Sequence, residues 1–172
     1  WNKVTYSALG RPMKRDEDWG MLIQEIDNTK GVIPFKYITA PVNDLGSGES
    51  VVRLGVLSDT HDGSPMCEEA LIERFYEIAY EAGVRTFVHA GDLFDGEGVY
   101  KGQDFEITCK GFDKNLLNVA EIYPKYPDVV TYAIVGNHDH SYITRTGANP
   151  IFHLAALRDD IKYLGVYQAN LR

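Results

Sequence analysis

Three short clusters of acidic, histidine and asparagine residues carry the side chains that bind metal ions and transfer protons. They read SDTHD over residues 58–62, GDLFD over 91–95 and GNHDH over 136–140. Their donor atoms are oxygen and nitrogen, without a thiolate, which suits Mn, Fe, Zn or Mg better than a structural zinc site. Because several carboxylates brought together would repel one another, the clusters indicate a site that holds cations.

Each cluster directly follows an apolar run that is typical of a strand buried on both faces. We expect these strands over residues 51–58, 86–90 and 129–135. Apolar residues recur at helical spacing over 68–81 and 105–123, which predicts a helix between successive strands. Strand–helix alternation predicts right-handed crossovers and a mainly parallel α/β sheet. Since ligands bind at the carboxyl ends of such strands, the three clusters should meet at one edge of the sheet.

The rest of this region is predicted to continue the same alternation. Gly83 should end the first helix, and a helix over 150–157 should precede the start of a fourth strand over 161–166. The helix over 105–123 is expected to turn one apolar stripe toward the sheet. That stripe comprises Leu116, Leu117, Ala120 and Ile122.

The chain is predicted to have three parts. Residues 1–41 are expected to be an N-terminal extension or the end of an upstream module. Residues 42–50, crowded with Gly, Ser, Asn and Asp, are expected to form a loop or linker. Residues 51–172 are expected to form the main domain. Because the chain begins at Trp1 and stops just after a predicted strand, we expect this domain to be incomplete at its C-terminus.

The N-terminal part has its own predicted elements. We expect a short strand over residues 4–6, a helix over 16–26 and an edge strand over 32–40. The helix is inferred from apolar residues at the spacing of one helical face. These residues are Trp19, Leu22, Ile23 and Ile26.

Composition excludes several classes of protein. With 172 residues, 44% of them hydrophobic, the chain is long and apolar enough to bury a core. The net charge of −8 argues against non-specific coating of nucleic acid or anionic membrane, while a local nucleic-acid site stays open. No apolar run reaches the roughly 20 residues of a membrane span, so no membrane partner is expected. Oligomeric state is left open.

The two cysteines predict the compartment. Cys67 and Cys109 are too few for a disulfide framework and lack the spacing of a zinc site. We therefore expect two free thiols in the reducing cytoplasm. An export signal removed ahead of Trp1 is the alternative.

The ordered motifs Asp59-x-His61, Gly91-Asp92-x-x-Asp95 and Gly136-Asn137-His138-Asp139 resemble the calcineurin-like metallophosphoesterase superfamily. The resemblance covers roughly residue 51 to the C-terminus. It implies one half of that family's β-sandwich, built from βαβαβ units. It also implies two divalent metal ions, with Mn²⁺ the leading candidate and Fe, Zn, Mg or Ni the others. A metal-activated hydroxide would attack the phosphorus of a phosphoester.

The resemblance also implies a role for each metal ligand. Asp59 and His61 would bind the first ion, and Asn137 would bind the second. Asp92 would bridge the two ions. Its place on the middle cluster independently makes it the best candidate for a bridging ligand.

The remaining polar residues of the clusters would support the chemistry. His138 would face the substrate as a general acid or as a stabiliser of phosphoryl charge. Asp95 would hydrogen-bond the other nitrogen of His138 and fix its tautomer. Four further residues are candidates for supporting or substrate contacts. They are Asp62, Asp139, His140 and Arg145.

The sequence departs from the family in two places. Gly96 follows Asp95, where phosphoprotein phosphatases carry an arginine. This disfavours that type of phosphatase and leaves open which cation contacts phosphate. The family also completes its site with later histidines, whereas the last histidine here is His153. We therefore expect this chain alone to be part of a catalytic unit.

Taken together, these features predict a metal-dependent phosphoester hydrolase. The GNHD sequence favours a phosphodiester, as in nuclease-like and phosphodiesterase-like members, over a phosphomonoester. The expected partner is a phosphoester substrate, with nucleic acid or a nucleotide as the preferred class. The alternative is a non-catalytic scaffold or binding subunit of the same fold. His89 and His153 are expected to be structural.

Overall fold

The computed structural model describes residues 22–27, 42–44 and 50–169. The strands expected over 4–6 and 32–40 lie outside the described residues. The described strands are β1 Leu22–Asp27, β2 Val42–Asp44, β3 Ser50–Leu57, β4 Thr86–His89, β5 Val130–Val135 and β6 Ile161–Val166. The described helices are α1 Glu69–Glu81, α2 Phe112–Ile122, α3 Asn137–Thr146 and α4 Pro150–Leu157, with a 3₁₀ turn over Gln103–Phe105.

Four strands form the parallel sheet that the alternation predicted. β3, β4, β5 and β6 pair side by side in chain order, each parallel to the next. Leu57 of β3 pairs with His89 of β4, and His89 pairs with Ala133 of β5. Because the strands share one direction, the segments that follow β3, β4 and β5 leave the sheet at the same edge.

The helix expected over 16–26 is wrong for its described part, because residues 22–27 form strand β1. β1 pairs antiparallel with β3, from Leu22 opposite Val56 to Asp27 opposite Val51. The apolar spacing fits a helical face, but the edge of β3 offers a row of unpaired backbone groups. Pairing with that edge satisfies the backbone of both segments, which is a non-local effect that local spacing does not report.

The predicted linker also contributes to the sheet. Val42–Asp44 form strand β2, which pairs antiparallel with the first residues of β3, Val42 lying opposite Val52. The first part of the segment expected as a loop is therefore a strand, since β3 begins at Ser50 with backbone groups still to pair.

The helix expected over 105–123 is shorter and turned differently. α2 begins at Phe112, after Gly111 adopts a left-handed φ of 93° that interrupts the helical path. Its buried face holds Leu116 and Val119, whereas 61% of Leu117 and 38% of Ile122 is exposed. The expected stripe was therefore wrong at Leu117 and Ile122, because three-residue spacing from Leu116 selects Val119 instead.

The third cluster forms the first turn of a helix that the sequence did not predict. α3 begins at Asn137, directly after β5, and ends where Gly147 adopts a φ of 77°. The Asp139 carboxylate accepts the backbone N–H of Gly136 and so caps the helix. Asn137 and His138 are therefore held on the first turn of a helix.

Aromatic residues join the helices to the sheet. Tyr76 of α1 stacks on Phe87 of β4 with ring centroids 4.1 Å apart. The Tyr76 hydroxyl lies 2.9 Å from the Thr131 hydroxyl and 3.1 Å from the Tyr123 hydroxyl, so its polar atom is satisfied in the core. In the described part of the chain, no helix has the length and apolar character to cross a membrane.

Candidate metal and phosphoester site

Backbone hydrogen bonds join the first two clusters. Beyond the ends of β3 and β4, the Asp59 N–H donates to the Gly91 carbonyl at 3.0 Å. The His61 N–H then donates to the Asp92 carbonyl at 3.1 Å, and the Asp95 N–H donates to the Asp62 carbonyl at 2.8 Å. The two loops therefore run side by side and hold the acidic and histidine side chains in fixed relation.

Asp139 attaches the third cluster to the second. Its Oδ2 accepts the N–H of Asp92 at 2.8 Å and that of Gly136 at 2.9 Å, while Oδ1 accepts the N–H of Phe94 at 2.8 Å. The side chain is fully buried, and burial raises its pKa to about 6 against the opposing effect of these hydrogen bonds. Since its oxygens are occupied by backbone donors, Asp139 builds the site rather than facing a substrate.

Three side chains form a candidate metal-holding group. One ligand atom from each of Asp59, His61 and Asp92 lies within 4.8 Å of the other two. His61 Nε2 lies 3.7 Å from Asp59 Oδ1. Two ligands of one ion, each about 2.1 Å from it, lie roughly 3–4 Å apart. The spacing therefore fits a shared cation.

The same three residues have an unusual backbone. Asp59, His61 and Asp92 have φ values of 56°, 49° and 56°, in the left-handed region that non-glycine residues seldom adopt. Asp and His are among the residues that enter this region most readily. Such conformations cost about 1–3 kcal/mol each and cluster at functional sites. Here they accompany the approach of these three side chains to one another.

Glycine at position 136 leaves the space that Asp92 occupies. A Cβ on Gly136 would collide with Oδ1 and the backbone nitrogen of Asp92 and would lie 2.8 Å from its Cγ. Gly91 packs against Gly136 in the same region, because a Cβ on Gly91 would lie 2.8 Å from the Gly136 Cα. The third cluster therefore packs directly against the carboxylate of the second.

We expect Gly136→Ala to weaken Mn²⁺ binding about tenfold, as changes to groups that orient a metal ligand commonly do. The added methyl must displace the Asp92 carboxylate. Titration calorimetry measures the dissociation constant. Gly147→Ala, at the other end of α3, is the control, since its Cβ meets nothing within 4 Å and only backbone strain at a φ of 77° is added. Equal Mn²⁺ affinity in both variants would show that the position of the Asp92 carboxylate does not affect Mn²⁺ binding.

Asp95 contacts both imidazoles, although not as expected. Its carboxylate Oδ1 lies 3.2 Å from Nδ1 of His61. Nδ1 of His138 lies 2.6 Å from the backbone carbonyl oxygen of Asp95 and 3.6 Å from Oδ1. The carboxylate therefore orients His61, and the main chain of the same residue orients His138. The difference arises because the carboxylate points to the first loop, while the carbonyl faces α3.

These partners determine which ring nitrogen is free. Carbonyl and carboxylate oxygens accept hydrogen bonds, so these partners place the hydrogen on Nδ1 of both His61 and His138. Nε2 of His61 is then the atom that faces Asp59. The two rings meet edge to face, with centroids 4.3 Å apart.

Asn137, Asp62 and His140 are candidate residues outside the metal-holding group. Asn137, the first residue of α3, is exposed. Asp62 is buried and accepts a hydrogen bond from Asn118 of α2 at 3.3 Å, and burial raises its pKa to about 6. The ring of His140 stacks on Tyr167 at 5.5 Å. Asp62 therefore connects the first cluster to α2.

His89 and His153, the two histidines expected to be structural, each contact a side chain outside the metal-holding group. His89 is fully buried, and burial lowers its pKa to about 3. Its Nε2 lies 3.0 Å from the hydroxyl of Thr60, the residue between Asp59 and His61. The His153 ring packs edge to face on Phe112 at 5.5 Å.

A profile of the calcineurin-like phosphoesterase family matches residues 52–170. The chain belongs to this family. The matched range includes all three clusters, and the donor set of Asp59, His61 and Asp92 fits a divalent cation by atom type and spacing.

Two individual proteins are similar to this member of the calcineurin-like phosphoesterases. A DNA polymerase II small subunit from Methanothermobacter thermautotrophicus is 29% identical over 99 residues, which is 51% of this chain and 20% of that protein. The chain thus spans about a fifth of the length of this curated relative. The crystal structure of the Pseudomonas putida nuclease MPE is 18% identical with a TM-score of 0.40, over 65% of this chain and 47% of that one.

The glycine that replaces the phosphatase arginine has a steric reason in this family member. Gly96 has a φ of 73°, and its Cβ would collide with the carbonyl oxygen of His138 and the hydroxyl of Ser141. The position is closed to any larger residue while α3 packs here. Two residues on, Gly98 packs against the Arg145 guanidinium, whose Nη1 occupies the place of a Cβ. Arg145 is an exposed residue of the last turn of α3.

Gln103 is the residue of the site that the sequence did not indicate. It is fully buried, and its Nε2 donates to the Asp95 carbonyl oxygen and to Asp95 Oδ2, each at 2.9 Å. It lies in a 3₁₀ turn within a segment of glycines and charged residues, which local pattern assigns to a solvated loop. The one indication in the sequence is that Gln103 has an uncharged amide side chain among acidic residues.

Proposed function

We propose that this chain is a metal-dependent phosphoester hydrolase that prefers phosphodiesters. The supporting observation is the convergence of Asp59, His61 and Asp92 into one metal-holding group with the His138 ring directly beside it. An ion held by three such ligands keeps open positions for water and a phosphoryl oxygen, as catalytic metal sites do.

The proposed site holds two divalent cations, with Mn²⁺ as the leading candidate. Asp59 and His61 would hold the first ion, Asn137 would hold the second, and Asp92 would serve both. When bound, such ions supply an activated water and neutralise charge on the phosphoryl oxygens.

The proposed roles of the protein's own groups follow from their contacts. Asp95 keeps the hydrogen of His61 on Nδ1 and so leaves Nε2 free as a ligand. His138 directs Nε2 toward the substrate, because its Nδ1 is occupied by the Asp95 carbonyl. Protonated there, His138 would donate to the leaving oxygen as a general acid.

We further propose a nucleic acid or a nucleotide as the substrate class. The relative from Methanothermobacter thermautotrophicus is by its name part of a DNA polymerase. The GNHD motif of the third cluster supports the same class by resemblance.

A non-catalytic scaffold or binding subunit is the second candidate. It is favoured by the second candidate metal-holding group of the described residues, which consists of His61, Asp95 and His138 and so shares His61 with the first. A second ion would therefore have Asp92 and Asn137 but no histidine of its own from this part of the chain.

Hydrolysis of two chromogenic esters separates these candidates. The chain is incubated with Mn²⁺ and either bis-p-nitrophenyl phosphate or p-nitrophenyl phosphate. Faster release of nitrophenol from the diester supports the proposal, and monoester preference redirects it to a phosphatase. Saturable Mn²⁺ binding without turnover of either ester would support the scaffold.

We propose Arg145 as the cation that contacts phosphate in place of the phosphatase arginine. Among the described residues no ion pair involves Arg145, and its guanidinium lies on the glycine loop that follows Asp95. We expect Arg145→Met to lower kcat/KM for the diester about tenfold, since hydrogen bonds to charged groups contribute about 1.5–3 kcal/mol before solvent screening. The control is Arg74→Met, because Arg74 is an exposed helical arginine paired with Glu77. Equal kcat/KM in the two variants would remove Arg145 from the site.

A further inference from the structure

Both imidazoles of the site depend on a single residue. Asp95 Oδ1 orients His61, and the Asp95 carbonyl oxygen orients His138. If Asp95 rotated about its χ1 or its peptide tilted, both rings would lose their partners together. The group that fixes Asp95 therefore controls two functional side chains.

Gln103 contacts Asp95 at both of these groups. One amide nitrogen donates to Oδ2 and to the carbonyl oxygen, each at 2.9 Å. That carbonyl thus accepts from Gln103 and from His138 Nδ1, which uses both of its lone pairs. The Gln103 Oε1 accepts the Val99 N–H at 2.8 Å, so the amide is held at its other end as well.

We propose that Gln103 is a positioning residue that, through Asp95, fixes the directions in which His61 and His138 present their Nε2 atoms. Asp95 Oδ2 is turned away to Gln103, which leaves Oδ1 for His61. The role rests on the proposed metal site, but it can be measured without hydrolysis. Groups that orient a metal ligand typically contribute 10–100-fold in metal affinity.

Two substitutions separate this role from simple loop support. Gln103→Glu retains the volume and an oxygen for the Val99 N–H, but it replaces the donor to Asp95 with an acceptor. Gln103→Met removes both functions. Tyr100→Phe is the control, because it deletes the 2.9 Å hydrogen bond from Tyr100 to Glu106 in the same segment without touching Asp95.

The first measurement is Mn²⁺ affinity of the 172-residue chain by titration calorimetry. We expect the dissociation constant to rise about tenfold in Gln103→Glu and in Gln103→Met, and to stay at the wild-type value in Tyr100→Phe. A role limited to supporting the segment through Val99 predicts wild-type affinity in Gln103→Glu, and that result would overturn the proposal.

The second measurement is the long-range ¹H–¹⁵N spectrum of the metal-free chain, which reports the tautomer of each histidine. In the wild type, His61 and His138 should each carry the hydrogen on Nδ1, and in Gln103→Glu these signals should shift toward a tautomer mixture. A wild-type His61 with its hydrogen on Nε2 contradicts the proposal even if the variants do not fold. Altered variant spectra together with a wild type that lacks esterase activity would leave the positioning role standing and count against hydrolysis by this chain alone.

Discussion

Asp92→Asn is expected to lower Mn²⁺-dependent hydrolysis of bis-p-nitrophenyl phosphate by about 1,000-fold or more. Asp92 belongs to the metal-holding group with Asp59 and His61, and it is 8% exposed. It is also the carboxylate proposed to share the second ion with Asn137. An amide keeps the shape but loses the negative charge, so the site holds a cation less strongly. A loss of about 4 kcal/mol of transition-state stabilisation corresponds to this factor.

Asp128→Asn is the matched control for Asp92→Asn. Asp128 also has a left-handed backbone, with a φ of 59° against 56° for Asp92, but it is exposed and lies in the turn before β5. Asn tolerates this conformation nearly as well as Asp, so neither backbone should move. Steady-state rates over a Mn²⁺ series measure the effect. Wild-type activity with an unchanged Mn²⁺ requirement in Asp92→Asn would remove this residue from the proposed site.

His138→Gln is expected to lower kcat for the diester by about 100- to 10,000-fold, the range of a lost general acid. The Mn²⁺ dissociation constant should stay close to the wild-type value, because His138 is proposed to face the substrate rather than to bind the ion. The backbone N–H of residue 138 still donates to Asp92 Oδ1, a 2.7 Å hydrogen bond in the wild type, so the carboxylate keeps its support.

The pattern of kcat and Mn²⁺ affinity is the informative readout for His138→Gln. His153→Gln is the control, since His153 packs on Phe112 and should be silent in both measurements. A large rise in the Mn²⁺ dissociation constant of His138→Gln would instead make this histidine a ligand. An unchanged kcat would exclude it from the reaction.

The parallel sheet and the meeting of the clusters could be predicted because both follow from local pattern. Apolar runs identify β3, β4 and β5, and parallel pairing brings their carboxyl ends to one edge. The burial of His89 could be predicted in the same way, because His89 lies within an apolar run.

The errors concern features that depend on distant partners. Leu22–Asp27 pair with β3, which the helical spacing of Leu22, Ile23 and Ile26 could not indicate. α3 depends on Asp139, whose carboxylate is fixed by backbone donors from the second cluster. Local spacing does not contain either interaction.

The orientation of side chains within the site was also beyond the sequence. Asp95 was expected to orient His138 through its carboxylate, but the left-handed turn at His61 brings that ring to the carboxylate instead. Gln103 reaches Asp95 only because a 3₁₀ turn folds the segment back over the site. Motif spacing identifies residue types, whereas backbone conformation decides which atoms meet.

Titration of the wild-type chain and of Asp59→Asn with Mn²⁺ tests the central claim most directly. Asp59 is 64% exposed at its side chain and contributes a ligand atom to the group with His61 and Asp92, so the substitution should leave the fold intact. We predict saturable binding by the wild type and at least about tenfold weaker binding by Asp59→Asn. Absence of saturable binding by the wild type, or identical binding by both proteins, would contradict a metal site at the meeting point of the three clusters.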